Sequence, residues 1–319
     1  MYEIDLSGQT HALAQIAAET ALQVTNGRMS LDEARRGLTT VILDILASRV
    51  SGVRDAIDGG VAAQPVLIQG LPVEPWNWDT ADIVDPLILL STIAACGYYT
   101  FSYTEQKGGR LVQDIVPIPG QERSNSNAGR VRLGWHTDDA VFKREFRAQG
   151  IALLCINNKA MSSTYYISVD ELVRSLDQQV FSVLTQPRFR FATPESFRVF
   201  GGKVIYSEPR PLVSRNDQGQ WEVACAEYST RTDHHDDEAG LCLRKFRELL
   251  ARKPGLEICL QPGDCLLFSN FRGLHSRDAV RGERLLKRAY FRSDLTDLRM
   301  MDTRPGAGEV FSCKDFILT

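Results

Sequence analysis

Three side chains in this sequence have the types and the spacing of a metal site: His136, Asp138 and His275. The first two are separated by one residue in Gly-Trp-His-Thr-Asp-Asp, and in an extended strand such side chains point to the same side. Two imidazoles and one carboxylate occupy three neighbouring corners of an octahedron, and the open corners suit an Fe(II) centre that takes a bidentate 2-oxo acid and O₂. A structural zinc site would instead close a tetrahedron, usually with sulfur, and no cysteine adjoins either histidine.

The short pattern His-x-Asp is a weak signal by itself, because it is common among proteins. His275 alone is equally compatible with a hydrogen-bonded loop histidine. The chain has only five histidines, and the pair His234-His235 lies in a charged segment that is typical of a solvated helix entry. The metal site is therefore favoured by the further motifs that follow in order along the chain.

The composition excludes several classes of protein. A hydrophobic fraction of 43% and a charged fraction of 24% are those of an ordinary soluble globular protein. The formal net charge of −3 gives no basic excess, so we expect neither nucleic acid nor membrane lipid as a partner. Apolar runs such as 88–96 are too short to span a bilayer, and the first residues lack a secretory signal. Seven single cysteines are typical of reduced thiols and predict a cytoplasmic protein.

The pattern of elements predicts a single domain, 1–319, with a mostly helical N-terminal layer over 1–97, a β core over 98–295 and a C-terminal tail over 296–319. Short apolar or alternating runs recur from residue 98 onward, bounded by Gly, Pro, Asn or Asp, as in a sandwich or barrel. The predicted fold class is mainly β with α: a double-stranded β-helix core, of jelly-roll or cupin-like type, under the helical layer.

Helices are predicted from apolar spacing and from end signals. Residues 10–57 look helical, and within them 31–53 follows Ser30, a favoured N-cap residue. Residues 86–96 form another predicted helix, and two more interrupt the β core, at 169–184 and at 236–253.

Several ordered motifs together resemble a known family. They are Gly-Gly-Arg-Leu-Val-Gln-Asp-Ile-Val-Pro at 108–117, Gly-Gln-Glu at 120–122, Gly-Trp-His-Thr-Asp-Asp-Ala at 134–140, His-Ser-Arg at 275–277 and Arg-Leu-Leu-Lys-Arg-Ala-Tyr-Phe at 284–291. The chain resembles the clavaminate synthase-like, TauD-related branch of Fe(II)/2-oxoglutarate dioxygenases. This branch includes β-hydroxylases of free arginine and asparagine in peptide-antibiotic pathways. The resemblance covers roughly 98–295.

The resemblance implies a double-stranded β-helix, the metal ligands already named, and a site for 2-oxoglutarate. In the family pattern Arg-x-x-x-Arg, Arg284 holds the distal carboxylate together with Thr164, and Arg288 faces the substrate carboxylate. A guanidinium suits both roles because it binds a carboxylate as a rigid fork. The spacing from His275 is shorter than usual, so which arginine binds 2-oxoglutarate stays open. Two surface arginines in a charged turn are the alternative. The carboxylate is Asp138, where this branch usually has Glu.

The resemblance also implies that Gln106 and Ser126 meet the α-amino group of an amino-acid substrate. Ser126 is equally compatible with a turn residue in Ser-Asn-Ser-Asn-Ala-Gly. The acidic segment 233–238 could pair with a basic side chain such as that of arginine, which makes a basic amino acid the favoured substrate. Acids that only favour a helix N-terminus are the alternative.

The predicted function is hydroxylation of an unactivated carbon of a free L-amino acid with Fe(II), 2-oxoglutarate and O₂, in specialised metabolism. The same chemistry also permits desaturation, cyclisation, or action on an aminoacyl group tethered to a carrier protein. The presence of Asp138 argues against the halogenases of this superfamily, which lack this carboxylate ligand and leave its coordination position open for chloride. A non-catalytic β-helix protein would predict a broken ligand set, and a zinc hydrolase would want a general-base Glu beside its ligands.

Overall fold

The computed structural model describes residues 1–59, 63–73, 78–194, 204–302, 304 and 308–317. In chain order, the α-helices are α1 (Thr10–Thr25), α2 (Leu31–Leu46), α3 (Val50–Ile57), α4 (Trp78–Ala95), α5 (Val169–Ser175), α6 (Gln178–Leu184), α7 (Asp237–Arg252), α8 (Thr296–Met301) and α9 (Lys314–Ile317). The strands are β1 (Tyr2–Asp5), β2 (Val66–Gln69), β3 (Tyr99–Tyr103), β4 (Gln113–Ile115), β5 (Leu133–His136), β6 (Gly150–Asn157), β7 (Thr164–Ser168), β8 (Phe189–Arg190), β9 (Val213–Arg215), β10 (Trp221–Val223), β11 (Arg231–Thr232), β12 (Leu256–Ile258), β13 (Cys265–Ser269), β14 (Gly273–Arg277), β15 (Leu285–Arg292) and β16 (Val310–Phe311).

Two facing β-sheets form the core. The larger, eight-stranded sheet has the order β1-β2-β13-β6-β15-β3-β16, with β4 also paired to β15. The smaller, four-stranded sheet has the order β12-β7-β14-β5. Two short two-stranded sheets, β10-β9 and β11-β8, lie outside both of these sheets. These sheets confirm the predicted double-stranded β-helix.

The larger sheet is buried on both faces, and β6 shows how its sequence achieves this. Ile151 and Leu153 belong to the cluster between the two sheets, whereas Ala152 and Leu154 belong to the cluster under the helices. Successive side chains of a strand point to opposite faces, so a continuously apolar strand serves both clusters. The helices α1, α2, α3 and α4 cover this outer face, which confirms the predicted N-terminal helical layer.

The predicted helix over 31–53 is interrupted. Its start is as expected, because Ser30 and Glu33 form a capping box at the beginning of α2. However, α2 ends at Leu46, and the chain turns as the Arg49 N–H donates to the Leu46 carbonyl. A new helix, α3, then begins at Val50. Apolar spacing continues through this turn, and it therefore does not reveal the break.

The predicted helix over 169–184 is also two helices. Asp177 begins α6 as its N-cap, with its carboxylate accepting from the N–H groups of Gln179 and Val180. The predicted helix over 236–253 is confirmed as α7, which Asp236 caps through the Ala239 N–H. Among the described residues, no helix has both the length and the apolar character needed to cross a membrane.

Candidate metal centre and active site

Strand pairing in the smaller sheet brings the two predicted histidine ligands together. His136 ends β5, and its Cα partner on the antiparallel strand β14 is His275. Their imidazole centroids are 4.1 Å apart. Residues that are directly opposite on neighbouring strands project from the same face, so both rings point towards the space between the sheets.

Asp138 completes the cluster just beyond the end of β5. Its Oδ1 lies 3.3 Å from His136 Nε2 and 3.5 Å from His275 Nε2. One ligand atom from each of the three residues lies within 4.8 Å of the others, which is close enough for one ion to bind all three. Burial opposes ionisation of Asp138, but the Arg288 charge and the two histidines hold the pKa of its carboxyl well below its usual range.

Both imidazoles present the form that binds a metal. His136 Nδ1 lies 2.8 Å from the Gly134 carbonyl, which only accepts, so the proton belongs on Nδ1 and the Nε2 lone pair faces the cluster. Burial lowers the pKa of His275 to about 4, so this ring is neutral near pH 7. Two neutral nitrogens and one carboxylate therefore fit a divalent ion with open coordination positions.

Asn270 holds the backbone of Asp138 in place, and sequence reasoning missed it. Its side-chain Oδ1 accepts from the Asp138 N–H at 2.8 Å, and its Nδ2 donates to the carbonyls of Asp138 at 3.1 Å and Ala148 at 2.9 Å. Asn270 is fully buried in the loop between β13 and β14. It belongs to the motif Asn-Phe-Arg-Gly-Leu-His, so its position just before the distal histidine was the available signal.

Replacing Asn270 by alanine is expected to lower the free energy of unfolding by about 3 kcal/mol, since three backbone groups lose a buried partner. Urea denaturation of the metal-free protein measures this change. The control is Asn216→Ala in a half-exposed turn, where water can replace the lost partner. This variant removes bonds to the N–H groups of Gln218 and Gln220 and to the side chains of Gln220 and Glu222, and it should cost about 1 kcal/mol. Equal losses in the two variants would contradict a special role for Asn270.

The predicted pair Arg284 and Thr164 is brought together beside the metal cluster. Arg284 Nη2 lies 3.3 Å from Thr164 Oγ1, and both residues line a cavity with His275 and Asp138. The Arg284 Nε is buried without a partner, and no ion pair of this guanidinium occurs within the described ranges. Burial, with the nearby Arg277 charge, lowers the pKa of Arg284 to about 10, so the guanidinium stays charged near pH 7. A buried cation without a counter-ion calls for an anionic ligand.

Arg288 has different surroundings, although it lines the same cavity. Its Nη1 donates to Asp138 Oδ2 at 2.6 Å, and its Nη2 donates to Gln113 Oε1 at 2.7 Å. Asp138 thus already neutralises Arg288, whereas Arg284 has no such partner among the described residues. Tyr290 also donates to Asp138 Oδ2, at 2.8 Å, and neither Gln113 nor Tyr290 was singled out from the sequence.

The two residues predicted to meet a substrate amino group lie in different settings. Gln106 is buried and connects to the cluster, because its Nε2 donates to the Tyr290 hydroxyl at 3.2 Å. Ser126 lies in a turn, where its hydroxyl is 2.8 Å from that of Ser124 and accepts from the Ala128 N–H. The neighbouring Asn127 lines the cavity at the cluster, and Ser126 does not.

Comparison with known proteins shows the family of the chain. Residues 83–290, more than half of the chain, match the model of a family described as taurine catabolism dioxygenase TauD, TfdA family. The chain belongs to this family. The predicted class of enzyme, a 2-oxoglutarate-dependent non-heme iron dioxygenase, is thereby confirmed. Fe(II), 2-oxoglutarate and O₂ are the cofactor and co-substrates of that class.

Characterised relatives of the chain act on amino acids. The chain is 27% identical to the L-asparagine oxygenase of Streptomyces coelicolor over 268 residues, which cover 77% of this chain and 75% of the relative. It is 26% identical to the L-lysine 3-hydroxylase of Catenulispora acidiphila over 231 residues, 70% of this chain and 62% of the relative.

Solved structures show the same fold over nearly the whole chain. Asparagine oxygenase in complex with Fe(II), 3-hydroxyasparagine and succinate superposes with a TM-score of 0.81 at 24% identity, covering 98% of this chain and 99% of that one. The non-heme iron oxygenase OrfP in complex with Fe, succinate and (3S)-hydroxy-L-Arg gives a TM-score of 0.75 at 22% identity, covering 98% and 100%.

Proposed function

We propose that this protein hydroxylates an unactivated carbon of a free L-amino acid, with Fe(II), 2-oxoglutarate and O₂. The observation that carries the proposal is the buried Arg284 guanidinium, which has no counter-ion in the described part of the chain and lies beside a cluster of two imidazoles and one carboxylate. The cluster suits a divalent metal, and the cation suits the far carboxylate of a dicarboxylic co-substrate chelated at that metal. When bound, the iron supplies oxidation of a substrate C–H bond, coupled to conversion of 2-oxoglutarate and O₂ into succinate and CO₂.

Each predicted residue has a proposed role. His136, Asp138 and His275 would hold the iron. Arg284 would bind the distal carboxylate of 2-oxoglutarate, and Thr164 would donate its hydroxyl to the same group. Support for choosing Arg284 over Arg288 comes from their counter-ions: Asp138 already pairs with Arg288 at 2.6 Å.

The substrate is proposed to lie next to Gln106 and Arg288. The Arg288 Nε is buried without a partner and could donate to a substrate carboxylate, although the other two nitrogens are engaged. Two hydrogen bonds link Gln106 to Asp138 through the Tyr290 hydroxyl, which supports a position near the metal. Ser126 remains a predicted contact to the amino group.

The acidic segment 233–238 gives less support to a basic substrate than the sequence suggested. Arg188 pairs with Asp236 and with Glu238, at 2.6 Å for Glu238, and Asp236 also caps α7. This arrangement favours the alternative that Asp236 and Glu238 only stabilise the N-terminus of α7. Asp233 and Asp237 are exposed. The relatives act on neutral asparagine as well as on basic lysine, ornithine and arginine. We therefore propose a free amino acid as the substrate class, within which the basic side chain stays a prediction.

Other parts of the proposal concern the setting of the reaction. A relative from Streptomyces hygroscopicus is an enduracididine β-hydroxylase, which supports a role in specialised metabolism. All seven cysteines are unpaired thiols, which supports a cytoplasmic location. A carrier protein that presents a tethered aminoacyl group is the alternative partner.

The test is a panel of free amino acids offered to the iron-loaded protein with 2-oxoglutarate and O₂. We expect one neutral or basic amino acid to yield succinate and a product with one added oxygen atom, detected by mass spectrometry. Zinc-loaded protein is the control and should yield neither. Loss of two hydrogens would indicate desaturation or cyclisation, and reaction only with a pantetheine thioester would indicate a carrier-bound substrate. No substrate-dependent succinate from any of these compounds would overturn the proposal.

A further inference from the structure

One oxygen of the Asp138 carboxylate, Oδ2, belongs to a closed ring of hydrogen bonds. Its members are Gln106, Gln113, Arg288, Asp138 and Tyr290, and we call it the Asp138 ring. Gln113 donates to Gln106 at 3.0 Å, Gln106 to Tyr290 at 3.2 Å, and Tyr290 to Asp138 Oδ2 at 2.8 Å. Arg288 closes the ring by donating to Asp138 Oδ2 at 2.6 Å and to Gln113 at 2.7 Å. All five side chains are buried.

The two oxygens of the Asp138 carboxylate have different neighbours. Both strong donors of the ring act on Oδ2, whereas Oδ1 faces the two imidazoles at 3.3 and 3.5 Å. A carboxylate oxygen has two lone pairs, and at Oδ2 both accept hydrogen bonds, one from a guanidinium and one from a phenol. We propose that Tyr290 is a positioning residue, which holds Asp138 so that Oδ1 alone ligates the metal. This inference rests on the proposed metal centre.

Tyr290 is well suited to this role because its own position is tightly restrained. The centroid of its phenol ring lies 4.7 Å from the Arg288 guanidinium carbon. The same ring packs against Phe101 and Tyr103, with centroid distances of 6.1 and 6.2 Å. A phenol is neutral near pH 7, so the hydroxyl stays a donor. Gln106 donates to the same hydroxyl at 3.2 Å, and the hydroxyl donates to Asp138 at 2.8 Å.

The ring also links the metal ligand to the predicted substrate contacts. Gln106 and Arg288 are members of the ring, and both are predicted to meet the substrate. A substrate that contacts either side chain therefore acts on hydrogen bonds that end at Asp138. Loss of the Tyr290 hydroxyl should consequently change the metal affinity in the absence of substrate, and also the KM for the amino acid.

The test is Tyr290→Phe, studied first by Co(II) binding to the whole protein without O₂ or substrate. Loss of a hydrogen bond to a metal ligand typically weakens metal binding by about 10- to 100-fold, and we expect a Co(II) dissociation constant about tenfold higher. The intensity of the Co(II) d–d absorption should also change, since it reports the coordination number. The matched control is Tyr98→Phe, because the Tyr98 hydroxyl also donates to a carboxylate, Asp58 Oδ2 at 2.6 Å, away from the cluster. Its Co(II) affinity should equal that of the wild type.

A second variant decides the matter if Tyr290→Phe does not fold. Gln113→Met keeps the side-chain volume and removes two hydrogen bonds of the Asp138 ring, those to Gln106 and Arg288. Both bonds to Asp138 itself remain. We expect a Co(II) affinity about threefold weaker, which corresponds to roughly 0.7 kcal/mol. The inference is overturned if the folded variant binds Co(II) as tightly as the wild type with unchanged absorption, or if Tyr98→Phe weakens binding equally. Because Co(II) binding requires no turnover, a failed amino-acid panel would contradict the proposed function without touching this result.

Discussion

Replacing Asp138 by alanine is expected to abolish turnover and to destabilise the fold, through two separate effects. Removal of one ligand of three should weaken Co(II) binding by about 100-fold or more, above the loss typical of residues that only support a ligand. The Arg288 guanidinium would also remain buried without its carboxylate. Breaking a buried ion pair by removing one partner costs about 3–5 kcal/mol. Co(II) titration and urea denaturation of the metal-free protein measure the two effects.

The double variant Asp138→Ala/Arg288→Met separates them. Removal of the guanidinium eliminates the unpaired charge, so most of the lost free energy of unfolding should return, whereas the metal affinity should not. An Asp138→Ala protein with the same free energy of unfolding as the wild type would contradict the proposed contribution of the Asp138–Arg288 ion pair to stability. Recovery of metal binding in the double variant would show that Asp138 is not a ligand.

Replacing Arg284 by methionine is expected to raise the KM for 2-oxoglutarate by more than about 100-fold. Removal of one partner of a buried, hydrogen-bonded charge pair costs about 2–5 kcal/mol of binding free energy, and about 1.4 kcal/mol corresponds to a factor of ten. In the ligand-free protein, Arg284→Met should not lower the free energy of unfolding, in contrast to Asp138→Ala. Arg284 has no counter-ion in the described structure, so an apolar side chain of similar length should leave the free energy of unfolding unchanged or higher.

Two control variants accompany Arg284→Met. Arg284→Lys retains the charge but not the fork, and an intermediate KM is expected. Thr164→Val removes one hydrogen bond from an uncharged donor to a carboxylate and should raise the KM by about tenfold, for roughly 1.5 kcal/mol. Initial rates of succinate formation at varied 2-oxoglutarate give all three values. An unchanged KM in Arg284→Met, combined with a large increase in an Arg288 variant, would reverse the assignment of the two arginines.

The sequence by itself determined the features that depend on local periodicity. The spacing of two predicted one side for His136, the last residue of β5, and Asp138, just beyond that strand. The same rule predicted one cavity for Arg284, just before β15, and Arg288 within it. Helix signals were reliable where a cap follows a simple pattern, as at Ser30 and Asp236. The order of motifs then pointed to the dioxygenase family.

Only the tertiary structure decided which groups meet across the sheets. Asn270, Arg288 and Tyr290 lie 132, 150 and 152 residues from Asp138, and their bonds to it arise from the packing of distant strands. Periodicity indicates the face that a side chain occupies but carries no information about its partner. For the same reason only the resemblance, and not the residues themselves, assigned different roles to Arg284 and Arg288. Within the described structure the two differ in their counter-ion, because Asp138 pairs with Arg288 and not with Arg284.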